Sequence, residues 1–135
     1  MRRAVLDSGV FVSAVAAPTG TCAELVAEML RGDLEVIISP LLVAELEDVL
    51  RREKFRRYID PESVDAFLDL LRSEASLAPD PTEPAPLRSV DPKDDYLLAL
   101  AFSQKSRLVS GDSDLIELSG EAPICTPGDL LAARA

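Results

Sequence analysis

Histidine is absent from the 135 residues, and so is tryptophan. Without histidine there is no Ser-His-Asp or Cys-His catalysis, no imidazole proton shuttle and no ordinary zinc site. Aromatic residues supply only 4% of the chain, so its core must be built from Leu, Val, Ile and Ala. The two cysteines, Cys22 and Cys125, lie far apart with no metal-ligand spacing. They read as small buried residues of a reducing cytoplasm, a single disulfide being the minor alternative. No apolar run is long enough to span a bilayer. The opening MRRAVLDSGVFVSAVAA imitates a signal peptide, but Asp7 interrupts it and the same residues serve better as a first strand. Positive charge is scarce as well: 14 Lys and Arg stand against 24 Asp and Glu, a net charge of −10. Such a surface argues against bulk attraction to nucleic acid or anionic lipid. The local exception is RREKFRR, which gathers Arg51, Arg52, Lys54, Arg56 and Arg57.

Carboxylates, hydroxyls, Lys and Arg are what remain for chemistry. The length suits one domain, 1–135, with a core that needs no staples. Short apolar runs alternate with helical patterns. RAVLD reads as a buried strand, followed by a turn or short helix through VFVSAVA. A helix is expected over 21–31 with Gly32 as its stop, then a strand at EVIIS. Ser39-Pro40 opens a helix to about Lys54, and Asp60-Pro61 one to about Ser76. APDPTEPAP is a connector too short to separate domains. A short strand is expected over 87–90, a helix from Asp91-Pro92 to about Gln104 and a strand at RLVSG. DSDLIEL is a short helix, PIC a last strand, and Thr126-Pro127 caps a final helix. The pattern predicts an α/β three-layer sandwich around a short, mostly parallel sheet. Ligands of such sheets bind beyond the carboxyl ends of the strands.

Four acids fall on that rim. Asp7 ends the first strand, and Asp112 follows RLVSG, with Asp114 beside it. Each also has a structural use, as turn-former or N-cap. Glu45 lies on the apolar stripe of its helix with Leu42, Leu46 and Val49, where a carboxylate is costly unless paired or coordinating a metal. In DPKDDYLLALA, Asp91 suits the N-cap and Asp94 can close a capping pair, which leaves Asp95 over. Four like charges at one rim repel unless some are protonated or a cation holds them, and oxygen-only ligands suit Mg²⁺ or Mn²⁺.

In this order the motifs resemble the PIN-domain nucleases, most closely the toxin components of toxin–antitoxin systems (VapC-like). VLDSGVFVSA is similar to the opening strand with its first acid, SPLLVAELEDVLRREKF to the second motif, DPKDDYLLALA to the third and RLVSGDSDLIEL to the fourth. The closing ICTPGDLL is similar to the family's terminal element. Two positions depart. Gly9 stands where the family usually has Asn, and Ser110 replaces the usual Thr while keeping its hydroxyl.

The resemblance implies metal-dependent cleavage of RNA phosphodiesters. Asp7, Asp95 and Asp112 would bind Mg²⁺ or Mn²⁺, with Glu45 a ligand or proton acceptor. Ser8, Ser110 and Asp114 would hold the ligating carboxylates. The basic run would follow RNA, or else be a solvated helix end. A cognate antitoxin and a homodimer are further implied, in the cytoplasm. The rival reading is a weakened PIN-like module that binds RNA or protein, which Gly9 favours. Receiver and haloacid-type phosphatase folds are disfavoured, because DSG fits neither of their first-strand motifs.

Overall fold

The computed structural model describes residues 2–86, 88 and 92–133. Arg2–Leu6 forms β1, whose Ala4, Val5 and Leu6 are wholly buried. An unbroken apolar run of this kind marks a strand covered on both faces. Asp7 ends it and starts α1 (Ser8–Ala16), its carboxylate accepting the Val10 N–H at 2.9 Å. The turn-or-helix expected here is thus a full helix. α2 (Thr21–Leu30) follows, and Gly32, at φ 82°, turns the chain into β2 (Leu34–Ile38).

Ser39 caps α3 (Pro40–Leu50) and Asp60 caps α4 (Pro61–Glu74), each with proline in the first turn, where no N–H is needed. α3 is shorter than expected: it stops at Leu50, and Glu53–Phe55 makes a separate 3-10 turn. α4 also ends early. Ser76–Leu77 instead forms β3, an edge strand on β2. Two residues cannot show the alternation by which a strand is recognised in sequence. The strand expected over 87–90 and the cap expected at Asp91 lie outside the described residues, Arg88 excepted.

A 3-10 turn, Pro92–Asp94, leads into α5 (Asp95–Ser103). β4 (Arg107–Val109), α6 (Ser113–Ile116), β5 (Ile124–Cys125) and α7 (Pro127–Ala132) complete the chain. Thr126 and Asp129 close a capping box at the start of α7.

The sheet order is β3-β2-β1-β4-β5, with every pairing parallel. The chain builds outward from β1 on one side, then crosses to the other with β4. Right-handed crossovers consequently place α1 to α4 on one face and α5 on the other, where it packs on β1 and β4. Buried Leu, Val and Ile from the four strands other than β3 and from the α-helices form the core, with Phe11 meeting Phe67 edge-on. The strand order reverses between β1 and β4, and a crevice opens there beyond the carboxyl ends.

Arg2 ties β1 to α2 through a salt bridge with the buried Glu28 and reaches the Leu130 carbonyl in α7. Cys22 and Cys125 are free and half-buried, with no disulfide between them. Among the described residues no single helix is long and apolar enough to cross a membrane.

Candidate active site

Asp7 and Asp112 follow β1 and β4, the two strands that flank the crevice. A buried hydroxyl links them. Ser110 Oγ donates to Asp7 Oδ2 and accepts the Asp112 N–H at 2.9 Å. Asp112 is itself exposed, and its side chain caps α6 by accepting the Asp114 N–H at 2.9 Å. Capping and placement at the rim are therefore compatible: each helix start aims a carboxylate while its backbone N–H groups hold it.

The cleft encloses about 410 Å³ and is walled by Asp7, Ser8, Gly9, Asp94, Asp112 and Cys22 together with neighbouring backbone and apolar groups. Among the described residues no Lys or Arg is part of these walls. Burial raises the pKa of Asp7, and the negative charges of Asp112 and Glu45 raise it further, against the hydrogen bonds from Ser110 and Val10. Glu45 is not itself a wall of the cleft. The Cys22 thiol is pushed up by burial and by Asp7, so it stays protonated and is a poor metal ligand.

The structure redistributes the aspartates ahead of α5. Asp94, not Asp95, lines the cleft, and Leu97, three residues on, lines it too. Asp94 stands at the N-cap of α5 without capping it through its side chain, and the pairing expected with Asp91 lies outside the described residues. Asp95 is half-buried and faces Arg88, with Oδ2 at 3.6 Å from Nη1. The reason is helical phase. Residues 92–94 wind as a 3-10 turn, advancing about 120° per residue rather than about 100°, which shifts the face each Asp presents. Among the described residues Asp94 thus stands in the wall of the cleft with Asp7 and Asp112, and Asp95 stands outside it.

Glu45 is half-buried on α3 beside Leu42 and Leu46, as its position in the apolar stripe implied. Its partner is Tyr96, whose hydroxyl donates to Glu45 Oε2 at 2.8 Å. Burial, followed by the hydrogen bond and charge of Glu45, holds the phenol protonated and hence a permanent donor. Nothing in the sequence singled out Tyr96, because its partner lies 51 positions away. The Asp114 side chain is not among the cleft walls, and its link to the site is the backbone N–H. Gly9 is a wall. A Cβ there would lie 3.4 Å from Asp7 Oδ1, so a side chain at this position would touch the carboxylate.

The basic run lies beyond α3. Arg51 pairs with Glu47 and Asp65, fastening α3 to α4, and Arg52 pairs with Asp48. Lys54 lies over the Phe55 ring and Arg57 over Tyr58. Arg51 and Arg56 line a small depression with Ile59 and Val64. None of the five reaches the acidic cleft.

A hard divalent ion suits the oxygen donors Asp7, Asp94 and Asp112. Among the described residues, however, no three acids stand close enough together to hold one as they lie.

Three solved structures share the fold. Protein PAE2754 from Pyrobaculum aerophilum superposes with a TM-score of 0.65 at 18% identity, covering 97% of this chain and 95% of its own. VapBC2 from Rickettsia felis, solved on a DNA fragment from its promoter, gives 0.62 at 15%, covering 92% and 98%. The PilT N-terminus domain protein SSO1118 from Sulfolobus solfataricus gives 0.60 at 16%, covering 98% and 92%. No curated protein matches by sequence alone. The family profile described as PIN domain matches residues 3–114, a span that runs from β1 through the acids of the cleft to the start of α6, and the chain belongs to the PIN-domain family.

Proposed function

We propose that the chain is a Mg²⁺- or Mn²⁺-dependent endoribonuclease, the toxin component of a type II toxin–antitoxin pair. The observation that carries this reading is the convergence of Asp7, Asp94 and Asp112 on one cleft at the switch point of a PIN-family sheet. These three carboxylates would hold the ion, and closing on it requires side chains to turn inward from their present positions. When bound, the ion polarises a phosphoryl oxygen and acidifies water. The chain's own groups do the positioning. Ser110 fixes Asp7 and the Asp112 backbone, while Tyr96 orients Glu45 as the group placed to accept a proton.

The likeness to VapBC2 supports a cognate antitoxin. The family resemblance adds a homodimer and a cytoplasmic setting. Sedimentation of the purified chain, alone and with the product of an adjacent small gene, tests both partners. RNA cleavage with Mn²⁺ and with EDTA tests the activity itself. Cleavage that persists in EDTA would sink the metal-dependent reading.

Tyr96→Phe removes one hydrogen bond and little volume. Loss of such an orienting partner is expected to lower cleavage by about 10- to 100-fold while changing stability by only about 1 kcal/mol. Wild-type activity in this variant would remove Glu45's positioning from the mechanism.

Because Arg51 and Arg52 are tied to carboxylates, RNA binding falls chiefly to Lys54, Arg56 and Arg57. Replacing these three with Ala should reduce the slope of log K against log salt, by about 0.7 for each phosphate of single-stranded RNA that is no longer neutralised. An unchanged slope would show a solvated helix end instead.

Gly9 favours a second reading, a weakened module that binds RNA without cutting it. Gly9→Asn tests it. A rise in cleavage identifies a missing hydrogen-bond partner at Asp7, and silence in both proteins supports the binding module.

A further inference from the structure

The amino edge of the sheet, opposite the acidic cleft, carries a second cavity of about 540 Å³. It is lined by Arg3, Phe102, Lys105, Ser106 and Arg107 with small apolar neighbours. Arg3 enters from β1 and Arg107 from the first residue of β4, in strands that pair side by side. Asp7 lies four residues along β1 from Arg3, about 13 Å at the usual rise of a strand. The two cavities therefore sit at opposite ends of the same strands.

Three features single out this cavity in a chain of net charge −10. Among the described residues its walls include three cations and no carboxylate. Arg3 is oriented by Glu35 at 3.0 Å and by the Gln104 carbonyl at 2.7 Å. Among the described residues no carboxylate pairs with Lys105 or Arg107. Secondly, Ser106 is 8% exposed, and its Oγ is buried with no hydrogen-bond partner. A buried hydroxyl left in this state is costly and uncommon.

The third feature is backbone strain. Lys105 has φ 51°, alone among the described non-glycine residues in being positive. It stands where α5 ends: the Ser106 N–H reaches the Ala101 carbonyl at 3.0 Å and the Lys105 N–H reaches the Phe102 carbonyl at 3.1 Å. This is the helix ending that glycine usually fills, because a side chain there crowds the backbone. A lysine at that position is less stable than glycine would be, and it places a charge next in the chain to the unsatisfied hydroxyl.

We propose that this cavity is a binding site for a phosphate group, held by Lys105, Arg107 and Arg3 with the Ser106 hydroxyl as an additional donor. Guanidinium and ammonium groups supply charge and donors to phosphate oxygens, and the half-buried Phe102 offers an apolar wall beside them. The phosphate could come from a free nucleotide or from an RNA strand. Neither source depends on the nuclease reading, since the site lies away from its acids.

Binding of inorganic phosphate, AMP and a short single-stranded RNA is measured by calorimetry in EDTA, which keeps metal-bridged phosphate out of the acidic cleft. The wild type is expected to bind at least one probe. Lys105→Gly and Arg107→Gln should each weaken binding at least tenfold, and Ser106→Ala severalfold. Lys105→Gly should melt no lower than the wild type without ligand, so its loss of affinity cannot be unfolding. Preference for AMP over RNA identifies a free nucleotide, and the reverse identifies strand phosphates. Failure of every probe to bind the wild type, or binding that survives both Lys105→Gly and Arg107→Gln, overturns the proposal.

Discussion

Saturating Mn²⁺ is expected to raise the melting temperature of the wild-type protein by on the order of 10 °C, and that of Asp7→Asn by much less. The magnitude follows from mass action. An ion at about a hundred times its Kd contributes roughly 2.7 kcal/mol, and unfolding entropy near 2.1 cal/mol/K per residue converts that to about 10 °C for a chain of this length. Without metal the order of stabilities should reverse, with Asp7→Asn melting above the wild type. Asn keeps its one carbonyl oxygen for the Val10 N–H, its amide N–H₂ donates to Ser110 Oγ where the carboxylate accepted, and it carries no charge to be buried near Asp112 and Glu45. The pH dependence has a definite sign. Because the folded-state pKa of Asp7 lies above the unfolded value of 3.8, the folded protein holds a proton that the unfolded chain releases. The cost of ionised Asp7 is therefore absent below the unfolded pKa and complete above the folded one. The metal-free advantage of Asp7→Asn should accordingly shrink as pH falls through that window. Thermal scans with EDTA, Mg²⁺, Mn²⁺ and Ca²⁺ at several pH values measure all three effects. A flat response to every ion, with equal melting of the two proteins in EDTA, would mean that the acids do not act together.

Asp94→Asn is expected to lower RNA cleavage by at least about 100-fold, since loss of an outer partner of a metal ligand already costs 10- to 100-fold. Asp95→Asn should lower it far less. The contrast rests on placement, because Asp94 lines the cleft with Asp7 and Asp112 while Asp95 faces Arg88. Both variants preserve volume, so a matched pair of melting curves separates catalysis from folding. Full activity in Asp94→Asn beside a dead Asp95→Asn would restore the assignment that capping logic alone suggests.

That pair of residues also shows where sequence reasoning loses its grip. Ser39-Pro40, Asp60-Pro61 and Thr126-Pro127 start helices as expected, because a cap and its N–H partner are neighbours in the chain. The positions of Asp7 and Asp112 at strand ends and of Glu45 on the apolar stripe of α3 were legible for a similar reason, since each follows from its near neighbours in the chain. The choice between Asp94 and Asp95 depends instead on one turn of 3-10 geometry, which shifts the helical phase without altering composition. Tyr96 was invisible because its meaning comes from Glu45 on another helix. β3 was missed because two residues carry no period. The cavity at the amino edge escaped likewise, since Arg3 and Arg107 become neighbours only through the pairing of β1 with β4.

The hydroxyl of Ser110 has a consequence for timing. It joins a carboxylate at position 7 to a backbone group at position 112, and the acid of α5 enters the same cleft. A chain emerging from the ribosome exposes Asp7 and Glu45 early, but they face an incomplete crevice until β4 lands beside β1. Closing so long a loop is among the later and slower events of folding. On the nuclease reading, a nascent or prematurely terminated chain that lacks β4 is harmless, and cutting power arrives only with nearly the whole protein. For a chain that destroys RNA, that order of assembly is a safeguard for the message being translated.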